Sequence, residues 1–216
     1  MTYQPRVKIC GVTLADDAAC VAASGAEFIG LNFWPRSRRY LEPDRGALIA
    51  GAARSRSAIQ VVGVFVDAAV EEIAEVASRV DLDIIQLHGD ESPAAVAAIA
   101  AATRRPIWKA IAIRGPSSID HLDTWPVDVL LLDTPSVGKG GSGKTFDWTL
   151  AAEARRRYGS LQIALAGGLD PANVGEAIDA VLPWAVDVAS GVEAAPGVKD
   201  PAKVTAFVAA VRGRAR

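Results

Sequence analysis

Eight short β-rich runs, Ala-rich helical stretches between them, and polar residues gathered where the runs end predict a parallel (β/α)8, or TIM, barrel for this chain. The runs fall near residues 6–10, 27–33, 59–66, 83–87, 106–113, 127–133, 161–166 and 185–189. The 216 residues leave roughly 27 for each strand–helix unit, just enough for eight of them. A doubly wound open sheet, the alternative, would be unusually wide at this strand number.

The intervening stretches carry amphipathic patterns: LADDAACVAASG (14–25), AVEEIAEVASRV (69–80), SPAAVAAIAAAT (92–103), DWTLAAEARRRY (147–158), PANVGEAIDAV (171–181) and DPAKVTAFVAAVRG (200–213). Start and stop signals agree with them. Thr13 stands three residues before Asp16, as in a capping box with a shorter acid, and Gly25 sits where a helix-ending glycine belongs. Pro93 and Pro171 are placed for a first helical turn, where the missing N–H costs little. Asp147 reads as an N-cap.

Composition narrows the class. Half of the residues are hydrophobic, 22% are charged and 6% are aromatic, enough apolar surface to bury a large core. With no linker or change of composition, a single domain over residues 1–216 is expected. The 23 Lys and Arg against 25 Asp and Glu give a formal charge of −2, which argues against nucleic acid bound through bulk positive charge. No apolar run reaches the ~18 residues that cross a bilayer, and the N-terminus lacks a secretory h-region. A cytoplasmic enzyme without membrane partners is expected. Cys10 and Cys20 are too few for a disulfide framework and lack zinc-ligand spacing, so no metal is expected. Apolar residues on outer helices would serve a monomer and a homodimer equally.

A barrel collects its chemistry at the C-terminal ends of its strands. Polar residues do fall there: Cys10, Asn32, Asp67, His88, Asp133, Gly167-Gly168 and Ser190-Gly191. Alternation along the strands turns Val7 and Ile9 toward the helices and Lys8 and Cys10 into the barrel. It likewise turns Leu130 and Leu132 outward and Asp133 inward, so Cys10 and Asp133 enter one cavity from different sides.

Each candidate has a plainer alternative. Cys10 is either a small buried hydrophobe or a base, and the second role needs local positive potential, for which Lys8 and Lys109 are placed. Cys20 is read as packing on the apolar face of the first helix. Asp133 follows three leucines and cannot be buried unpaired; it closes the strand as an Asx turn or serves as an acid. Asp187 points inward too, as a partner for a barrel lysine. Two glycine loops on adjacent strands, Gly167-Gly168 and Ser190-Gly191, fit a phosphate better than two ordinary turns. Of Arg36, Arg38 and Arg39, which suit carboxylates or phosphates, at least one is a solvated loop residue. His88 reads as a hydrogen bonder at the rim rather than an acid or base.

Gly138–Thr145 matches the P-loop pattern G-x-x-x-x-G-K-T letter for letter. It does not follow its strand directly, however, and no Walker-B strand lies downstream. A loop over the barrel mouth is the better reading, with a nucleotide-binding protein as its rival.

Taken together, KICGVT (8–13), GLNFWPRSRRY (30–40), VGVFV (62–66), QLHG (86–89), LLLDT (130–134), GGSGKTFDW (140–148), AGGLDPANV (166–174) and DVASGVE (187–193) resemble the phosphoribosylanthranilate isomerase family of tryptophan biosynthesis. The resemblance implies a single barrel that carries out an Amadori rearrangement of a phosphorylated aminoaldose without cofactor or metal. It implies Asp133 as general acid, Cys10 as general base and Arg39 as holder of the anthranilate carboxylate. Gly167, Gly168, Ser190 and Gly191 match the family's phosphate loops, with Asn173 nearby, and Asp187 matches a position near the anthranilate. The glycine-lysine stretch is in that family the loop after the sixth strand. The related histidine-pathway isomerase would carry an aspartate where this chain has Cys10.

Overall fold

The computed structural model describes residues 3–134 and 147–215. Its central element is a closed barrel of eight parallel strands in sequence order: β1 Arg6–Cys10, β2 Phe28–Asn32, β3 Gln60–Phe65, β4 Ile84–Leu87, β5 Ile107–Ala112, β6 Val129–Asp133, β7 Gln162–Leu165 and β8 Ala185–Val188. Each strand lies within its sequence-predicted run. Outside it stand α1 Ala15–Ala23, α2 Pro43–Arg54, α3 Val70–Val80, α4 Pro93–Thr103, α5 Trp148–Arg157, α6 Val174–Val181 and α7 Pro201–Arg212.

Three features were not legible in the periodicity. Helix α2 is interrupted by two glycines, and Gly46 is needed there because a Cβ would sit 2.9 Å from the Phe33 ring. After β5 the chain makes two short 3-10 turns, Pro116–Ile119 and Leu122–Thr124, where a regular barrel has a helix. Between β8 and α7 a small antiparallel hairpin is inserted, β9 Glu193–Ala195 and β10 Val198–Lys199, turning through Gly197 at φ +84°.

The caps follow expectation in part. Pro93 opens α4, Asp147 caps α5 by accepting from Thr149 N–H at 2.9 Å, and Gly25 has the positive φ of +87° expected after α1. Thr13, by contrast, is not an N-cap. Helix α1 begins at Ala15, and the Thr13 hydroxyl instead donates to the Gly197 carbonyl at 2.6 Å, fastening the hairpin. Pro171 lies in a turn ahead of α6 rather than in its first turn, because Asp170 accepts from the N–H groups of Ala172 and Asn173 and delays the helix to Val174. Cys20 is also displaced from its expected place: α1 buries Asp17, Ala18, Val21 and Ala22, and Cys20 is half-exposed beside that face.

Strand alternation divides the core in two. Val7, Ile9, Leu130, Leu132, Ile163 and Val186 face the helices, whereas Phe28, Val62, Trp108, Val129, Leu131 and Ala164 fill the barrel. At the N-terminal end Trp108 packs edge-on to Phe28, with centroids 5.0 Å apart, and to Trp184 at 5.7 Å. The small Ala164 and Ala185 make room for these rings. The same end shows a repeated device. The carboxylate just before β2, β4 or β6 accepts the opening N–H of the preceding strand: Glu27 from Val7 at 2.8 Å, Asp83 from Val61 at 2.7 Å, and Asp128 from Ile107 at 2.8 Å. An apolar, hydrogen-bonded floor therefore leaves polar chemistry to the opposite rim.

Trp108→Ala empties the barrel floor and is expected to lower unfolding stability by about 3–5 kcal/mol, whereas Leu48→Ala on the exposed face of α2 should change it by less than about 0.5 kcal/mol. Urea denaturation of both variants checks this.

Candidate active site

The C-terminal rim encloses a cavity of about 660 Å³ whose wall includes Cys10, Arg39, Asp133, Gly167, Gly168, Asp187 and Ser190. Its floor is set by strand register. Lys8 pairs with Asp187 across β1 and β8, and parallel neighbours in register turn same-parity side chains to the same side. Lys8, with no exposed surface, thus donates to Asp187 Oδ1 at 2.9 Å. One step up, Cys10 pairs with Gly30, where a Cβ would lie 2.8 Å from Cys10 Sγ and 3.1 Å from Lys8 Nζ. The missing side chain of Gly30 is the room in which thiol and ammonium stand.

Burial disfavours the Lys8 ammonium, but Asp187 and the Cys10 side chain outweigh it and hold Lys8 above its ordinary range. Burial pushes the Cys10 thiol up; Lys8 pulls it down, Asp187 pushes it further up, and the net direction is upward. The positive potential expected at Cys10 is therefore present but does not prevail in the free protein. Of the two lysines anticipated as its sources, Lys8 supplies it and Lys109 does not. Lys109 faces away from the cavity centre, bonded to Glu91 at 2.9 Å and to the Gly89 carbonyl at 2.8 Å. The second lysine is Lys199 of the hairpin, which donates to the Cys10 carbonyl at 2.6 Å and contributes to the thiol's field.

The hairpin also governs Arg39. This side chain passes over Gly11, whose φ is +73° and where a Cβ would meet Arg39 Cδ. Beyond it, Arg39 Nε and Nη2 donate to Glu193 Oε1 and Oε2, both at 2.7 Å. That side-on fork leaves the Nη1–Nη2 edge of the guanidinium for another carboxylate. Glu193 also accepts from Lys199 at 3.0 Å; burial opposes its charge, but Arg39 and Lys199 hold it below the ordinary carboxylate range. Burial in turn pulls the Lys199 ammonium down. The Glu193–Lys199 pair escaped the sequence reading, although Pro196-Gly197 in EAAPGVK is a turn signal; what the segment does not mark is that the turn folds back over the rim.

Across the cavity, Asp133 Oδ1 accepts from Thr134 N–H at 2.7 Å and Oδ2 faces His88 Nε2 at 3.1 Å. His88 is thus a rim hydrogen bonder, as read, but its partner is the candidate acid itself. Gly167 allows this crowding: at φ +86°, a Cβ there would lie 2.6 Å from Thr134 N and 2.8 Å from Asp133 Oδ1.

The two glycine loops meet at the other end. Gly191 is not on the cavity wall; its bare Cα lets the β8 loop lie against the Leu169 carbonyl, 2.0 Å from where a Cβ would be. Asn173 bridges Asp170 N–H and the Gly168 carbonyl, at 2.9 Å each, and so braces the β7 loop. The backbone N–H groups of Gly167 and Gly168 have no acceptor among the described residues, and Ser190 and Gly191 open a 3-10 turn, whose first N–H groups have no partner within the turn.

Of the other candidates, Arg36 and Arg38 line the same cavity and Asp67 does not. Asp67 accepts from Asp90 N–H and ties the β3 and β4 loops together, while Arg36 and Arg38 are exposed at the rim. Gly138–Thr145 lies outside the described residues. Among those residues no cluster of His, Cys, Asp and Glu is placed to hold a metal, and no helix is long and apolar enough to cross a membrane.

Comparison with known proteins places this geometry. The family model described as N-(5'-phosphoribosyl)anthranilate isomerase matches residues 7–210. The N-(5'-phosphoribosyl)anthranilate isomerase of Geobacter sp. is 44% identical over 205 residues, covering 94% of this chain and 96% of the relative. The phosphoribosyl anthranilate isomerase crystal structure from Thermotoga maritima superposes with a TM-score of 0.88 at 41% identity, covering 97% of this chain and 99% of that one. A phosphoribosyl anthranilate isomerase in complex with reduced 1-(o-carboxyphenylamino)-1-deoxyribulose 5-phosphate superposes at 0.85 with 38% identity, covering 97% and 99%. With a matching family model over nearly its whole length and relatives this similar, the chain belongs to the N-(5'-phosphoribosyl)anthranilate isomerase family.

Proposed function

We propose that this protein isomerises N-(5'-phosphoribosyl)anthranilate to 1-(2-carboxyphenylamino)-1-deoxyribulose 5-phosphate, with Asp133 as general acid and Cys10 as general base. The observation that carries the reading is the placement of these two groups, from β6 and β1, on different sides of one cavity that Arg39, Gly167, Gly168 and Ser190 also line. The N–H groups of the glycine-containing β7 and β8 loops suit a phosphate, which backbone dipoles bind without a lysine. The open edge of Arg39 suits the anthranilate carboxylate. Anchored at both ends, the ribose spans the cavity between Cys10 and Asp133.

The chemistry then needs one proton given and one taken. Asp133 protonates the ring oxygen, the bond from C1′ to that oxygen breaks, and the anilino nitrogen lone pair closes a Schiff base. Cys10, as thiolate, removes the C2′ proton, and the electrons move through C1′ to nitrogen to give an enolamine. The proton on O2′ leaves and C1′ is protonated, which produces the ketone. Lys8 below the thiol and Lys199 behind it stabilise the thiolate, and Asp187 holds Lys8 in place. Glu193 orients Arg39, and Lys199 offsets its charge, so that a net positive group faces the substrate carboxylate.

Phosphoribosylanthranilate generated in situ should be consumed by the wild type, followed as loss of anthraniloyl fluorescence. Cys10→Ala and Asp133→Asn should each lower kcat by at least about 10²–10⁴-fold. Full turnover by Cys10→Ala would remove the base assignment, and consumption of only the histidine-pathway aminoaldose by wild type would replace the substrate.

The pH profile carries a sign. With the thiol held above its ordinary value, its basic form is the minority at neutral pH, so the rate at which iodoacetamide alkylates Cys10, measured in Cys20→Ser, should rise with pH toward the thiol range. Asp187 pushes the thiol up, so Asp187→Asn should move that rise to lower pH. A shift to higher pH, or none, argues against Asp187 as a group that raises the thiol. Glu193→Gln releases the side-on fork of Arg39 and is expected to raise KM about 10-fold with kcat changed less, measured by steady-state kinetics.

A further inference from the structure

Behind Asp133 stands a chain of side chains that the proposed reaction does not yet use. Gln86 on β4 is buried, with Nε2 3.0 Å from His88 Nδ1, and His88 Nε2 is 3.1 Å from Asp133 Oδ2. A neutral imidazole donates from one nitrogen and accepts at the other, and the partner of one nitrogen decides the role of the second. Here that partner is an amide, which offers either an N–H or an oxygen. The orientation of a glutamine amide is settled by its hydrogen-bond network.

Burial settles it in this case. Gln86 Oε1 is buried and has no partner among the described residues, while Nε2 has His88 Nδ1. Turning the amide over would give the oxygen a partner but leave the nitrogen, with its two hydrogens, buried without one. Orphaned N–H groups are tolerated less than under-used carbonyl oxygens. The amide N–H therefore faces Nδ1, which must accept. Nε2 then carries the hydrogen and points it at Asp133.

The backbone around His88 is fixed to match. His88 N–H donates to the Phe65 carbonyl at 2.8 Å, and Gly89 N–H to Glu91 Oε2 at 3.0 Å. Lys109, buried and paired with Glu91, holds the Gly89 carbonyl at 2.8 Å. The buried Lys109–Glu91 pair thus serves the aim of the imidazole.

We infer that Gln86 is a positioning residue that locks His88 as an Nε2–H donor to Asp133, so that the acid's proton goes to substrate and not to the imidazole. The inference rests on the reading of Asp133 as general acid. His88 Nε2–H and Thr134 N–H each take one lone pair, on Oδ2 and Oδ1 respectively, leaving one on each oxygen for the transferable proton. When Asp133 has given that proton, both donors remain on the new carboxylate and stabilise it. With an N–H of Gln86 against Nδ1, a second proton on His88 would have to break that bond, which opposes draining Asp133 into the imidazole.

The test is direct, because the chain has two histidines and His121 is exposed and removable as His121→Gln. In protein labelled with ¹⁵N-histidine, His88 should show a protonated Nε2 and an unprotonated Nδ1 at neutral pH. Gln86→Glu replaces the donor with an acceptor and should move the proton to Nδ1, lowering kcat about 10²-fold with KM little changed. Gln86→Met, of similar volume and with no donor, should lower kcat less and remain folded by thermal unfolding; it decides the matter if Gln86→Glu does not fold. His88→Gln, which keeps a donor, should retain more activity than His88→Leu. A protonated Nδ1 in the wild type, or full kcat in both Gln86 variants, would overturn the inference. Wild-type turnover that is lost in Asp133→Asn would leave the isomerase reading standing in that event.

Discussion

A lysine with no exposed surface, Lys8, fixes the arrangement of everything above it in this barrel. A buried ammonium left alone would cost several kcal/mol, so the strand beside it must supply a carboxylate at the same level. Register between β1 and β8 does this with Asp187. Register between β1 and β2 places a glycine, Gly30, on the other flank, because any larger residue would displace both the ammonium and the thiol above it. Slipping β1 by one residue against its neighbours would turn Lys8 and Cys10 toward the helices and leave Asp187 facing inward without its partner. The chemical mouth of the barrel thus depends on a pairing two residues below it.

The loops complete what the strands begin. Only one of the cations near Cys10 belongs to its own strand. Lys199 and Arg39 arrive from the β9–β10 hairpin and the β2 loop, and Glu193 joins them. Asp17 of α1 accepts the Lys199 N–H at 2.7 Å, and Thr13 fastens the Gly197 turn. The carboxylate-binding edge of Arg39 and the environment of the thiol are therefore parts of one network. Disturbing the hairpin should be felt at both.

The barrel was legible because its evidence is periodic. Buried strands of β-branched and leucine residues repeat at near-equal spacing, and alternation alone assigns Lys8, Cys10, Leu131 and Asp133 to the interior. The glycine loops were legible as well, since Gly167 and Gly168 occupy positive φ that other residues rarely adopt. What the sequence hid was partnership. Lys109 has the right charge but the wrong parity, and Lys199 lies 189 residues from Cys10, past a Pro-Gly turn whose packing partners the sequence does not name. Thr13 looks like a helix cap until the hairpin that takes its hydroxyl is placed. Gln86 on β4 and His88 just past its end stand two apart, so their shared face was readable. Their contact with Asp133 needed β4 and β6 brought around the closed barrel.

The central claim is that Cys10 and Asp133 act on one substrate from two sides of the cavity, in separate proton transfers. Substrate deuterated at C2′ tests it most directly, with the label followed by mass spectrometry and ring opening by NMR. The account expects Cys10→Ala to open the ring while keeping its deuterium, and Asp133→Asn to leave the ring closed. Loss of C2′ deuterium at the wild-type rate from Cys10→Ala would contradict it.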